Sequence, residues 1–436
     1  MVYSLIGYIM VALLVVLLLK GKASPLTLFI ILPIVAAAIL GFSVTEIGDF
    51  AVIGVQTTMS NAVLFIFSIL YFGIMNDAGM FDGLIDSLVK KAGTNVVAVT
   101  VVTALISTVG HLDGATATTV LVTIPAMLPI YKKLNIRPYV LIAIIASAMG
   151  VMNLLPWGGP TARTAVVLGM DANAVWQPLI PIQIAGLIFT VLLAIILGNI
   201  EKKRGAGFDP STLSDAEIGE TKVDEKVLAL KRPHLAKINI ILTALVIIIL
   251  MLDKVQSYVV FMLAFAIAII INYPDVKEQG RRFKAHAPSA LLISATMITS
   301  GIFVGVIQET GMLDAMAQTL LNVVPSSMGS AIHIIMGVLA LPIGMVLGTD
   351  AYFYGLLPLV IEVGKTYGVE PMNVAITMII GKNVALLVSP LVPATFLAIG
   401  LADIELKDHI KFSFKWLWGV SICMLIFAVV IGLVQL

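Results

Sequence analysis

The chain has 436 residues, of which 60% are apolar and 12% charged, with a mean hydropathy of +1.08. Soluble domains are nearer about half apolar and a quarter charged, so a string of soluble domains is excluded in favour of one membrane-embedded domain. A formal net charge of +1 leaves no electrostatic footprint for nucleic acid, and the single cysteine, Cys423, excludes an intrachain disulfide.

In chain order, windows of about 19 residues place spans at 2–19, 24–41, 57–76, 138–155, 180–198, 237–252, 255–272, 288–308, 371–388 and 412–434. The first has no basic residue ahead of it and no small-residue cleavage site behind it, so it reads as a retained span rather than a signal peptide. Cys423 falls in a very apolar segment and reads as a packed, inert thiol.

Two further apolar regions, 94–131 and 331–364, are too long for one span. Each is interrupted near its centre, by His111-Leu112-Asp113-Gly114-Ala115-Thr116 and by Leu347-Gly348-Thr349-Asp350-Ala351-Tyr352. Each reads as a re-entrant hairpin, because irregular backbone survives at membrane depth only against protein or a watery cavity. The alternative is a pair of ordinary spans with a short polar loop. Charge placement separates the two. With two hairpins, every basic residue except Arg163, Lys254, Lys365 and Lys382 falls on one side, counting residues that flank the spans. The positive-inside rule then puts that side in the cytoplasm and both termini outside. The location expected is the cell's inner (plasma) membrane, crossed many times.

Segment 199–236 is hydrophilic, with Lys202-Lys203-Arg204 followed by Asp215, Glu217, Glu220, Asp224 and Glu225. It reads as a cytoplasmic linker between two halves, 1–198 and 237–436. The halves repeat. At an offset of 232, Gly73, Gly79, Met80 and Asp82 meet Gly305, Gly311, Met312 and Asp314, and Asp77 meets Glu309. At 233, Pro125, Pro138 and Pro160 meet Pro358, Pro371 and Pro393. Five spans and one hairpin per half insert the second half upside down. The fold class expected is therefore an all-α polytopic membrane protein of two inverted repeats, an architecture of secondary transporters with substrate at the repeat interface.

After each hairpin comes a span broken by proline, 138–170 and 371–401. The breaks read Asn153-Leu154-Leu155-Pro156-Trp157-Gly158-Gly159-Pro160-Thr161 and Asn383 through Ser389-Pro390-Leu391-Val392-Pro393-Ala394-Thr395. The half-helix beyond each break offers free N–H groups and a positive dipole end, which suit a carboxylate. A plain proline kink is the bland alternative. Candidate substrate-binding residues are Asn153, Gly158, Gly159, Thr161, Arg163, Lys382, Asn383, Ser389 and Thr395.

Ionisable groups at membrane depth are site candidates by their cost. Asp113 and Asp350, with His111, Thr116 and Thr349 beside them, are candidates for coupling to a proton or cation, and the two aspartates for a metal. Capping of the hairpin tips is their structural alternative. The aspartates do not align, lying 12 residues before Pro125 and 8 before Pro358. Arg163 pairs either with a substrate carboxylate or with one of the aspartates, and Lys382 has the same two readings. His333, on an apolar arm, reads as a packed histidine.

These passages, with Ile124-Pro125-Ala126-Met127-Leu128-Pro129 and Gly348-Thr349-Asp350-Ala351-Tyr352-Phe353, resemble the citrate–divalent-metal:proton symporter family (CitMHS) of the ion transporter superfamily over nearly the whole chain. The resemblance implies uptake of citrate, or a similar di- or tricarboxylate, with protons. It implies no bound cofactor, and Mg2+ or Ca2+ travelling with the substrate. It also implies a homodimer whose hairpin-bearing domain slides against a scaffold, an elevator motion. Lys382 departs from what a metal–citrate site would lead one to expect, since its ammonium can stand in for the metal's charge. Another carboxylate symporter without metal (malate, lactate or gluconate-like) and a cation/proton antiporter are the alternatives. An enzyme ranks last, for want of a metalloprotease motif, a Gly-x-Ser-x-Gly elbow or paired aspartates on adjacent spans.

Overall fold

The computed structural model describes residues 1–207, 228–322 and 329–435, so Asp215, Glu217, Glu220, Asp224 and Glu225 of the linker lie outside the described residues. Among the described residues every regular element is helical.

The first half runs α1 (Val2–Leu19), α2 (Pro25–Ile39), α3 (Val44–Asp77), α4 (Asp82–Ala92), α5 (Val96–Gly110), α6 (Thr116–Lys133), α7 (Pro138–Met152), α8 (Gly159–Leu168), α9 (Ala172–Trp176) and α10 (Ile180–Lys203). The second runs α11 (Ala236–Leu252), α12 (Ser257–Asn272), α13 (Val276–Glu309), α14 (Met312–Leu321), α15 (Ile332–Asp350), a π-helical turn at Ala351–Leu356, α16 (Leu357–Thr366), α17 (Pro371–Asn383), α18 (Pro393–Ala402) and α19 (Leu406–Val430). Among the described residues six segments are long and apolar enough to cross a membrane by length and composition, and shorter apolar helices accompany them.

Several elements match in backbone detail at the offset of 232. Helices α3 and α13 are each 34 residues long and start 232 positions apart. Ser43 and Asp275, at the same offset, both accept a backbone N–H as N-caps, which spares an orphan donor in the first turn. Gly79 and Gly311 share a φ of 72°, a left-handed turn that glycine adopts without steric cost. The two long helices make the most extensive packing in the molecule, crossing where Gly54 meets Gly301 and Gly305. Their neighbours are exchanged, α2 packing on α13 and α12 on α3.

Both long helices outrun the spans expected at 57–76 and 288–308. Polar residues such as Glu46 and Asp49 in α3, and Lys277, Arg281 and Arg282 in α13, depress hydropathy over turns that are nonetheless helical. At the end where α3 finishes, Asp77 Oδ2 accepts from His286 Nε2 at 2.8 Å and Arg282 Nη1 at 3.3 Å. Helix α19 begins at Leu406, six residues before the expected span, and takes His409 into its buried face. Cys423 lies exposed on α19 rather than packed, because a helix in an apolar surrounding can be apolar on all sides. His333 is buried and donates from Nε2 to the Gln435 carbonyl at 2.7 Å, as a packed histidine should.

Candidate functional site

The two expected interruptions are real breaks in helix. Between α5 and α6, residues 111–115 form a tight tip in which Gly114 takes a φ of 70°. In the second half Gly348, at φ 73° and ψ 178°, kinks the chain within α15 just before the π-helical turn. Each tip is tied to the broken helix of its own half. Trp157 Nε1 donates to the Leu112 carbonyl at 2.7 Å, and Ser389 Oγ donates to the Met345 carbonyl at 3.0 Å. The Trp157 indole is held between Phe72 and Phe261, at 5.3 and 5.0 Å between ring centroids. Each tip therefore reaches only the midpoint of a helix–break–helix element.

The breaks hold themselves open by local hydrogen bonds. Thr161 Oγ1 donates to the carbonyls of Asn153 and Leu154, at 3.2 and 2.9 Å. Thr395 Oγ1 donates to the Ser389 carbonyl at 2.9 Å, and His409 Nε2 to the Leu387 carbonyl at 2.8 Å. These bonds satisfy helix-end carbonyls that would otherwise be orphaned. The hydroxyls of Thr161, Ser389 and Thr395 thus face backbone. A Cβ on Gly158 would strike the carbonyls of Asn153 and Leu155, so only glycine fits that turn. Gly150 likewise lets Val384 approach and brings the two broken helices against each other.

Among the described residues, several buried polar atoms at the ends of the helices before the breaks lack partners. The Asn153 Nδ2 and both amide atoms of Asn383 have no hydrogen-bond partner among the described residues, although each side chain is only 2% exposed. Buried polar groups are almost always satisfied, so two asparagines with open valences, each at the end of the helix before a break, mark a place for a polar guest. His111 sets one of them. It is fully buried, with Nδ1 2.7 Å from Thr119 Oγ1 and Nε2 3.2 Å from Asn153 Oδ1. With its carbonyl oxygen engaged by the imidazole, Asn153 is left with a buried NH2 group, a donor without a partner among the described residues.

The charged residues part company. Asp113 is half-buried and turns inward, its Oδ1 accepting the Ala115 N–H at 2.8 Å. Asp350 instead crosses to the other half, where Arg163 Nε lies 2.8 Å from its Oδ1. Arg163 also donates from Nη1 to the Gly159 carbonyl at 3.0 Å, and the missing side chain of Gly159 leaves room for the guanidinium. Lys382 is 2% exposed, and its stem lies against Gly344 where a Cβ could not fit. Arg163 and Asp350 act on it through space, yet among the described residues it makes no ion pair. Tyr354 adjoins the same pair, with Phe29 against its ring at 5.0 Å. Two cations and one carboxylate thus face one another, leaving net positive charge. Among the described residues no three of His, Cys, Asp and Glu gather closely enough to hold a metal ion. Thr116 and Thr349 are half-buried beside their tips.

Sequence reading did not single out Gly344, Tyr354 or His409. Gly344 and Tyr354 sit in hairpin stretches rich in glycine and aromatics, and His409 in what read as a loop. Two clefts, of about 100 and 160 Å3, lie beyond the charged cluster near Val167, Leu168 and Gln308, and they do not include Lys382 or either asparagine.

Residues 2–381 match the CitMHS family, described as citrate transporter. Two proteins of Bacillus subtilis (strain 168) align over 99% of this chain and 99% of their own length. The citrate transporter is 37% identical, and the Mg(2+)/citrate complex secondary transporter 36%. The crystal structure of the Alcanivorax borkumensis YdaH transporter superposes with a TM-score of 0.59 at 16% identity, over 87% of this chain and 88% of that one, a likeness of fold.

Proposed function

The chain belongs to the CitMHS citrate transporter family, and on that premise we propose that it is a secondary transporter that takes up citrate together with protons, the citrate travelling as a complex with a divalent cation. The observation that carries this reading is the buried Lys382, without an ion pair among the described residues, next in the chain to Asn383, whose amide atoms have no partner among them, with Asn153 unsatisfied on the other broken helix. A buried ammonium without a counter-ion is costly, and a polycarboxylate guest relieves that cost.

In this reading Lys382 and the free N–H groups of Arg163 take carboxylates. The Asn153 NH2 and the Asn383 amide donate to carboxylate or hydroxyl oxygens, and the half-helix that begins at Gly158 and Gly159 turns its positive end to the same charge. Thr161, Ser389 and Thr395 keep the breaks open. Citrate's own oxygens wrap the divalent cation, so the protein need not supply a ligand set. The complex keeps one net negative charge, which matches a site whose Arg163, Lys382 and Asp350 sum to one positive charge. Asp113 receives the coupling proton.

The tips meeting the midpoints of broken helices support re-entrant hairpins, and the matching halves support inverted repeats. Elevator movement and a homodimer belong to the same proposal. Uptake of labelled citrate into proteoliposomes under an imposed pH gradient, with and without Mg2+, tests it. Accumulation that needs both is expected, and no citrate flux under any gradient would sink it.

A further inference from the structure

Asp350 and Arg163 lie 187 positions apart in the chain, yet they meet at 2.8 Å across the two halves. The contact joins the second hairpin tip to the half-helix after the first break. Tip capping does not explain it, because the other tip aspartate, Asp113, does cap its own tip. Both side chains remain partly exposed, at 20% and 19%. The guanidinium is anchored independently through Nη1 to the Gly159 carbonyl, so it stays in place if Asp350 leaves. Asp350 is the freer partner: Gly348 kinks the chain two residues before it, and the π-helical turn Ala351–Leu356 follows directly. Single π turns are common at functional sites and can shift register locally.

Resting on the reading of this junction as a carboxylate site, we propose that Asp350 holds the place of a substrate carboxylate on Arg163. The pair is an internal competitor that lowers affinity and makes the site select for substrates with two or more carboxylates. Lys382, with no ion-pair partner among the described residues, receives the first carboxylate. A second carboxylate, on the same molecule and held at high effective concentration, replaces Asp350 on the guanidinium and frees the second tip. A monocarboxylate meets Lys382 but leaves Asp350 in place, so it neither binds tightly nor releases the tip.

The experiment is equilibrium binding of Mg2+–citrate, and of acetate as a monocarboxylate, to purified wild-type protein, Asp350→Asn and Asp350→Ala. Two substitutions of different shape guard against one that fails to fold, with monodisperse elution as the check. If the competitor occupies Arg163 about nine-tenths of the time, removing it tightens citrate binding about tenfold. Acetate binding should gain as well, so that discrimination between the two narrows. Citrate affinity that is unchanged or weaker in both variants overturns the proposal. Tight citrate binding by wild type with no gain in the variants removes this inference alone, whereas no citrate binding by wild type removes the transporter reading with it.

Discussion

Asn153 and Asn383 each close the first helix of a broken pair, three residues out of the 233 register, and both bury amide atoms without partners among the described residues. Truncating either one removes a donor to a charged guest, a change worth about 1.5–3 kcal/mol. Asn153→Ala and Asn383→Ala should therefore each raise the KM for citrate uptake by roughly tenfold or more. Thermal stability should hold for Asn383→Ala, whose amide atoms make no hydrogen bond among the described residues, whereas Asn153→Ala also loses the bond to His111 and should lower it by about 1–3 kcal/mol. A fall in melting temperature with an unchanged KM would mean that the amides are structural. The candidates Asn153, Asn383, Arg163 and Lys382 were all legible in the sequence as polar residues beside proline breaks. Which partner Arg163 takes was not legible, because the choice between Asp113 and Asp350 depends on how the halves interlock. Thr161, Ser389 and Thr395 carry the same signature as the asparagines, yet their hydroxyls turn to backbone carbonyls within their own breaks or tips. No one-dimensional pattern distinguishes those outcomes.

At the level of elements, each tip is tied to its neighbouring break by a side chain of that break, Trp157 in one half and Ser389 in the other. Trp157→Phe keeps the aromatic packing on Phe72 and Phe261 but loses the bond to the Leu112 carbonyl. A buried carbonyl left unsatisfied costs about 1–3 kcal/mol. Amide hydrogen exchange over 111–116 should accelerate in that variant while exchange in α3 stays unchanged. Unaltered exchange at the tip would show that Trp157 does not hold it. The hairpin breaks were readable because glycine, aspartate and histidine interrupt apolar runs. Helix ends were less so: α3, α13 and α19 all extend through polar turns that a hydropathy window discounts. The matched φ of Gly79 and Gly311, by contrast, follows from a repeat already visible as identical letters at one offset.

Across the whole molecule, the reading of inverted halves makes a prediction about sidedness. In a Cys423→Ser background, a cysteine at Lys254 should react with a membrane-impermeant maleimide on intact cells. One at Lys203 should react only after permeabilisation. Equal labelling of both would undo the charge-based topology and, with it, the inversion. The proposed site turns on Lys382, which is buried against Gly344 and lies within the field of Arg163 and Asp350. Lys382→Met replaces it with the residue type that Met149 supplies at the 233 offset, preserving an apolar stem against Gly344. Uptake of labelled citrate with Mg2+ by proteoliposomes carrying this variant should fall at least about tenfold, on the scale of a lost charge-assisted bond, with the protein still folded and monodisperse. Wild-type uptake by Lys382→Met would contradict a carboxylate site built around this lysine.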